Sequence, residues 1–344
     1  MEGFWKEWLL KNGLEPSGER RASEDAHLEQ ISALREGSAL ACLDTFALIR
    51  VEGEDAAAFL QGQLSSDIRE LLEGRAQYST YSTAKGRMLA SFLAWFKDGA
   101  YYLMVSADIA EAIAKRLKMF VLRSKVKVEL AADWALLGLA GDAAGAVLRE
   151  AQAELANVEP LKPVFGADFM AMALPGAGWL VALRNESEWG GKIAGNAALT
   201  PISAEAWQLR DIQAGIVWVA LATQEQFVPQ MANMELIGAV NFKKGCYPGQ
   251  EIVARSQYLG KMKRRMFRVE FDQALPNATK LYSPELPDQS VGMLAAVCQV
   301  GKGRYQGLAV VQAQTWESGV FGDELHKIPL RMLDLPYSLE SVTG

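Results

Sequence analysis

The chain has 344 residues, half of them hydrophobic and 22% charged, with 35 Lys and Arg against 41 Asp and Glu for a formal net charge of -6. That is too much chain for one small core, so two or three packed units are expected; no apolar run approaches the roughly 20 residues that span a bilayer, and the acidic balance argues against general coating of DNA. Three well-separated cysteines, Cys42, Cys246 and Cys298, with no CxxC and two histidines, leave no pattern for a structural zinc site and fit a reducing cytoplasm.

The opening MEGFWKEWLL has an early acid and no basic stretch ahead of an apolar core. It reads as an amphipathic helix with Trp5, Leu9 and Leu10 on its apolar side, not as a signal peptide. Residues 13–35 are polar and read as a loop or loose helix. Residues 38–53 read as a strand running into a turn at Val51-Glu52-Gly53. A helix is predicted from Glu54 to Leu64, with apolar Ala57, Phe59, Leu60 and Leu64 and with Asp55 as its cap. Residues 76–96 read as two strands joined near Lys85-Gly86-Arg87, and Tyr101 to Ser106 as another. Ala107 to Met119 has helical spacing, and Lys125 to Leu130 alternates like a strand. From 89 to about 190 the order strand, strand, helix, strand, strand, helix, strand predicts an α+β unit, an antiparallel sheet with helices on one face. Residues 200–240 return to helix and loop. Beyond 262, short strands separated by turns at Pro276-Asn277, Pro284, Pro287-Asp288 and Gly301-Lys302-Gly303 predict a small barrel-like all-β domain.

Chemistry concentrates in Lys243-Lys244-Gly245-Cys246-Tyr247-Pro248-Gly249-Gln250-Glu251. Arg255, Lys261, Lys263, Arg264, Arg265 and Arg268 follow, so residues 241–268 carry eight Lys or Arg and one Glu, a local +7 in a chain whose remainder carries -13. Such a patch is a landing place for anions, RNA phosphate included. Cys246 is the candidate nucleophile: Lys243 and Lys244 favour thiolate if they face it, and Gly245 and Gly249 let backbone approach a ligand. Alternatively, it is an inert thiol in a tight loop. Glu251 either anchors a ligand N–H or pairs with Arg255. Arg264 and Arg265, neighbours on a strand, face opposite ways, so at most one serves a pocket. Lys85-Gly86-Arg87 is an anion-binding hairpin or simply an exposed turn. Cys42 and Cys298, in apolar surroundings, read as small buried hydrophobes. Trp207, Trp218 and Trp316 are candidates for stacking on a flat ring, or else core residues.

The segment KGCYPGQE, Lys244 to Glu251, resembles the signature of the folate-binding tRNA-modifying protein family known as YgfZ. That family is related to the aminomethyltransferase of the glycine cleavage system and to a mitochondrial iron–sulfur assembly factor. The likeness extends to Gly53-Glu54-Asp55-Ala56 with Phe59-Leu60-Gln61-Gly62-Gln63-Leu64 and Asp67, and to Ala84-Lys85-Gly86-Arg87. It continues through Asp211-Ile212-Gln213-Ala214-Gly215-Ile216, through Phe227-Val228-Pro229-Gln230 with Asn233, and through Val253-Ala254-Arg255 to Gly260 and Lys263-Arg264-Arg265.

The resemblance implies an α+β, three-domain aminomethyltransferase-like arrangement around a central cleft. Its parts would be a discontinuous first domain of 30–85 plus 200–260, an inserted α+β domain of 86–199, and a C-terminal β-barrel-like domain of 262–336. It implies tetrahydrofolate or a derivative as ligand, held by Lys85, Arg87, Lys243, Lys244, Tyr247, Glu251, Arg255 and Arg265. Cys246 would act as nucleophile, redox group or transient cluster contact, with no permanently bound iron–sulfur cluster. The expected role is accessory to iron–sulfur protein assembly or repair, supporting tRNA thiolation indirectly. The expected partners are iron–sulfur enzymes or assembly proteins, with weak RNA contact, no membrane, and a monomeric cytoplasmic state. A one-carbon transferase and a non-catalytic RNA-binding protein are the alternatives. The relative's paired aspartates after the glycine hairpin would fall at Ala90 and Ser91, and neither residue supplies the charge that aminomethyl transfer needs.

Overall fold

The computed structural model describes residues 3–17, 22–151, 155, 158–258 and 262–339. In chain order the elements begin with α1 (Phe4–Lys11), α2 (Glu24–Glu36), β1 (Ala39–Cys42), β2 (Phe46–Glu52), α3 (Ala56–Gln61), β3 (Gln77–Ser82), β4 (Met88–Lys97), β5 (Ala100–Ser106), α4 (Ala107–Val121), β6 (Lys127–Leu130), β7 (Trp134–Ala140) and α5 (Asp142–Ala151). They continue with β8 (Val164–Phe165), β9 (Phe169–Ala173), β10 (Trp179–Arg184), α6 (Glu188–Ala194), β11 (Thr200–Ile202), α7 (Ala204–Gln213), α8 (Gln250–Tyr258), β12 (Arg264–Phe271), β13 (Lys280–Leu281), β14 (Gly292–Gly301), β15 (Arg304–Gln312), β16 (Val320–Phe321) and β17 (Pro329–Leu333). The chain divides into two compact units. One comprises Met1–Ala56, Glu70–Ala76 and Ala94–Arg210; the other comprises Ala57–Arg69, Gln77–Leu93 and Asp211–Gly344.

In the first unit a six-stranded sheet has the order β11-β1-β7-β10-β9-β8. Only β1 and β11 run parallel, Ala39 lying opposite Thr200; every other neighbouring pair is antiparallel. The amphipathic α1 forms as its spacing predicts and sends Trp5 and Leu9 into a core with Leu137, Val181 and Leu183, while Leu10 stays exposed. Residues 24–36, overlapping the 13–35 segment expected as a loop or loose helix, form a regular helix, capped by Ser23, whose hydroxyl accepts from the Ala26 N–H. β2 pairs antiparallel with β5 and β6, Ile49 opposite Leu103 and Val51 opposite Val128. Asp55 does not cap α3; its carboxylate accepts from the Lys125 N–H at 2.7 Å. Trp207 is buried against Gly138 and Gly178, where a Cβ on Gly138 would come within 2.6 Å of the indole, so it is a core residue.

The second unit carries α3 from Ala57 onward, β3, the first part of β4, α8 and the C-terminal sheet. That sheet has the order β13-β14-β15-β12-β17-β16. Its two ends meet where Tyr282 and Phe321 exchange backbone hydrogen bonds at 2.9 Å. The edges are thereby paired and the sheet nearly closes on itself, as expected of the barrel-like end domain. Phe267, Val269, Phe271, Leu294, Ala309 and Val311 alternate inward to fill it. Trp316 packs edge-on to Phe267, and Trp218 donates to Asp211 at 3.0 Å while meeting Tyr78 edge-on.

Candidate functional site

The second unit brings two glycine-bearing blocks of the sequence into contact. Residues 83–87 form the tight turn between β3 and β4: Gly86 N–H donates to the Thr83 carbonyl at 2.9 Å, and Thr83 N–H donates to Arg87 at 2.8 Å. Gly86 has φ +72, a conformation that favours glycine. Gly249, at the end of the 241–249 loop and with φ +81, packs directly against this turn. A Cβ there would lie 2.5 Å from the Thr83 carbonyl oxygen and 2.7 Å from Gly86 Cα. Ile252 of α8 also packs against Gly86, its Cβ 3.1 Å from where a Cβ on that glycine would stand. The Lys85-Gly86-Arg87 hairpin and the Cys246 loop are thus one local structure. Of its side chains, Lys85, Lys243, Cys246, Glu251 and Arg255 are exposed.

The two adjacent lysines have opposite fates. Lys243 is exposed, its backbone N–H bonded to Asn241 Oδ1 at 2.8 Å. Lys244 is buried. Its ammonium donates to the carbonyls of Gln61 at 2.7 Å, Ser66 at 2.9 Å and Leu64, so all three of its protons are engaged on the turn that follows α3. The carbonyl end of a helix leaves acceptors without partners, and a cation answers both their hydrogen bonds and the helix dipole. Burial pulls this ammonium down to about 8, with Asp67 partly offsetting that pull. Its Nζ also sits 5.2 Å from the centre of the Tyr247 ring. Tyr247 is itself buried, which pushes its hydroxyl up to about 12.

The receiving turn is stiffened by hydroxyls. Ser65 Oγ donates to the Ala239 carbonyl at 2.6 Å and accepts from Thr80, and Ser66 Oγ donates to Ser79 Oγ. Asp67 is held by Arg69 through Nε at 2.9 Å, through Nη2 and through the backbone N–H at 3.1 Å. These bonds hold its carboxyl down at about 2.

Arg264 and Arg265 do face opposite ways: Arg264 is half-buried and Arg265 is buried. Arg265 pairs with Glu235 and donates to the Gln230 carbonyl at 2.9 Å. Burial raises the Glu235 carboxyl, and Arg265 pulls it partly back. Gln230 in turn donates its Nε2 to the Val253 carbonyl at 2.6 Å, tying β12 to α8. Arg87 is half-buried and donates to the Gln226 carbonyl at 2.6 Å. Glu251 lies in the first turn of α8, where a negative charge suits the helix dipole. Among the described residues it forms no ion pair with Arg255. Of the remaining basic run, Gly260 and Lys261 lie outside the described residues.

Nine sequence-derived candidates therefore divide into two groups. Lys85, Lys243, Cys246, Glu251 and Arg255 present functional groups to solvent, whereas Lys244, Tyr247 and Arg265 are buried and engaged within the framework, with Arg87 between the two. Sequence reasoning gave no role to Gln61, Leu64 and Ser66, which act through backbone carbonyls and so leave no side-chain signal. It gave none to Gln230 either, although Gln61, Leu64 and Gln230 all lie in segments that carry the family resemblance. Cys42 and Cys298 are buried, and burial pushes the Cys42 thiol up to about 12. Ala90 is fully buried and Ser91 Oγ accepts from the Val219 N–H at 2.9 Å, so this stretch of β4 offers no carboxylate. Among the described residues no group of three or more His, Cys, Asp or Glu is placed to hold a metal ion, and no helix is long and apolar enough to cross a membrane.

Residues 4–164 match the family model of the GCVT N-terminal domain. Over 309 residues, 88% of this chain and 93% of the relative, the sequence is 28% identical to the tRNA-modifying protein YgfZ of Klebsiella pneumoniae (strain 342). The fold is similar to that of the glycine cleavage system aminomethyltransferase T from Bartonella henselae, with a TM-score of 0.72, 20% identity, and coverage of 91% of this chain and 88% of that one.

Proposed function

Because the chain resembles YgfZ/GcvT-family folate-binding proteins in sequence and in fold, we propose that it is a folate-dependent accessory factor for iron–sulfur protein assembly or repair. Its support of tRNA modification would be indirect, through iron–sulfur enzymes that thiolate tRNA. The observation that carries this proposal is the docking of the Gly86 turn against Gly249, which gathers exposed cations, a carboxylate and a thiol on one small framework.

The donor set fits a reduced folate. The ligand's anionic glutamate tail needs cations, which Lys85, Lys243 and Arg255 provide with no ion-pair partner among the described residues. Its flat ring carries N–H donors, which a carboxylate such as Glu251 accepts. Bound folate would supply a carrier for one-carbon units. Lys244, Tyr247, Arg265 and Gln230 hold the loop and α8 in position, and Arg87 fixes the turn to the 224–227 segment. Cys246 is the residue we assign to chemistry, as nucleophile, redox group or transient cluster contact.

A one-carbon transferase is the weaker alternative. Transfer of a cationic aminomethyl group needs charge placement and proton handling, and the β4 positions that would supply acids are a buried alanine and a serine engaged with backbone. The test of the thiol is genetic. In cells lacking the factor, Cys246→Ala should leave iron–sulfur enzyme activity depressed; full restoration by that variant would remove Cys246 from the mechanism.

A further inference from the structure

The end of α4, remote in sequence from the candidate site, has an unusual surface. The helix buries Ile109, Ala110, Ile113, Ala114 and Leu117, spaced to line one face. That stripe completes its packing, yet three more large apolar residues follow on the last turn and just beyond it. Met119 is 60% exposed, Phe120 46% and Leu122 87%. Leu122 also has φ +48 at the helix end, a backbone conformation that favours glycine. Neither burial nor backbone preference accounts for these side chains.

The same stretch is strongly basic. Residues 115–127 contain Lys115, Arg116, Lys118, Arg123, Lys125 and Lys127 and no acid. Lys125 pairs with Glu54 at 2.7 Å, and Lys127 with Glu129 at 2.8 Å. The Arg116 guanidinium lies 5.9 Å from the centre of the Phe120 ring. Lys118 and Arg123 are exposed and form no ion pair among the described residues. The helix dipole favours Lys118 in the last turns, but Arg123 lies past the end of the helix and gains little from it.

We infer that this corner of the first unit is a docking surface for a partner protein, which presents a short segment of acidic residues flanking apolar ones. Charge complementarity selects the acids, which meet Lys118 and Arg123. The apolar side chains of the segment cover Met119, Phe120 and Leu122. A nucleic acid would use the cations but has no need of exposed Leu and Met. An anionic bilayer would use both, but it is an extended surface, and the chain facing it is negative overall at -6. A short segment meets only the local positive field, because screening confines the repulsion to about 10 Å.

The test uses the full chain and a fluorescein-labelled amphipathic peptide with leucines on one face and glutamates on the other. The comparison probes are the same peptide with lysines for glutamates, phosphatidylglycerol vesicles and oligouridylate. The acidic peptide should bind wild type, and both Met119→Ser/Leu122→Ser and Lys118→Glu/Arg123→Glu should weaken binding roughly tenfold. The lysine peptide should not bind. All these positions are exposed, so thermal unfolding should be unchanged; the charge-reversal pair decides the matter if the serine pair does not fold. Absence of acidic-peptide binding, or binding insensitive to both variants, overturns the inference. So does capture of vesicles or RNA by these residues when the peptide does not bind.

Discussion

Replacement of Lys244 by methionine separates a framework lysine from a ligand-binding one. Lys244→Met keeps the length of the side chain but removes the donors to the Gln61, Leu64 and Ser66 carbonyls. Hydrogen bonds from a charged donor contribute roughly 1.5–3 kcal/mol each, net of the water they replace. Burial, which pulls the ammonium down from 10.5 to about 8, places these bonds at the low end of that range, and we take about 3 kcal/mol as the expected loss. Hydrogen–deuterium exchange reads this locally, which matters in a chain of two units where one global unfolding free energy is ill-defined. Amides in 61–66 and 241–249 should exchange about 100-fold faster in the variant, while affinity for tetrahydrofolate at low temperature changes little. Unchanged exchange together with abolished folate binding would mean the opposite, that the ammonium acts on the ligand and not on the three carbonyls.

Two further substitutions probe the same framework. Gly249→Ala should destabilise the second unit by about 2–4 kcal/mol, because the new Cβ meets backbone atoms of Thr83 and Gly86 at 2.5–2.8 Å and these cannot turn aside; a thermal midpoint equal to wild type would contradict that packing. Asp67 titrates near 2 in the folded chain against 3.8 ordinarily. The unfolded chain therefore takes up the proton first as pH falls, so the stabilisation is complete above 3.8 and is lost as pH falls through 2. Its size is at most about 2 kcal/mol, reduced by solvent around the exposed Arg69. Acid unfolding profiles should show this loss in wild type and not in Asp67→Asn, and superimposable profiles would dismiss the ion pair.

The elements that declare themselves locally were legible in the sequence. Apolar spacing placed α1, α4 and the strands of residues 76–106, and dense turn residues marked the barrel-like C-terminal sheet; residues 38–53, read as one strand, are instead β1 and β2, which break at Leu43–Thr45 and enter different sheets. The Cys246 loop and the Lys85-Gly86-Arg87 turn stood out by composition. Their mutual contact did not, because it depends on two glycines brought together by tertiary packing and not by any local pattern. Nor does composition distinguish Lys243 from Lys244. The difference comes from three carbonyls on the turn after α3, and carbonyls are the same for every residue. Asp55 illustrates the competing force: a side chain suited to cap its own helix bonds the Lys125 backbone instead, a partner invisible from its neighbours. Strand alternation sets Arg264 and Arg265 on opposite faces in advance, but only the structure shows that Arg265 is the one turned inward.

On the proposed reading, the exposed cations of the Cys246 loop, the 83–87 turn and α8 hold a reduced folate while the thiol serves a different step. Titration of the purified chain with tetrahydrofolate, followed by tryptophan fluorescence, separates the two. Wild type should bind, Lys85→Ala/Lys243→Ala should bind roughly tenfold more weakly, and Cys246→Ala should bind as wild type does. Absence of binding by wild type would contradict the folate account.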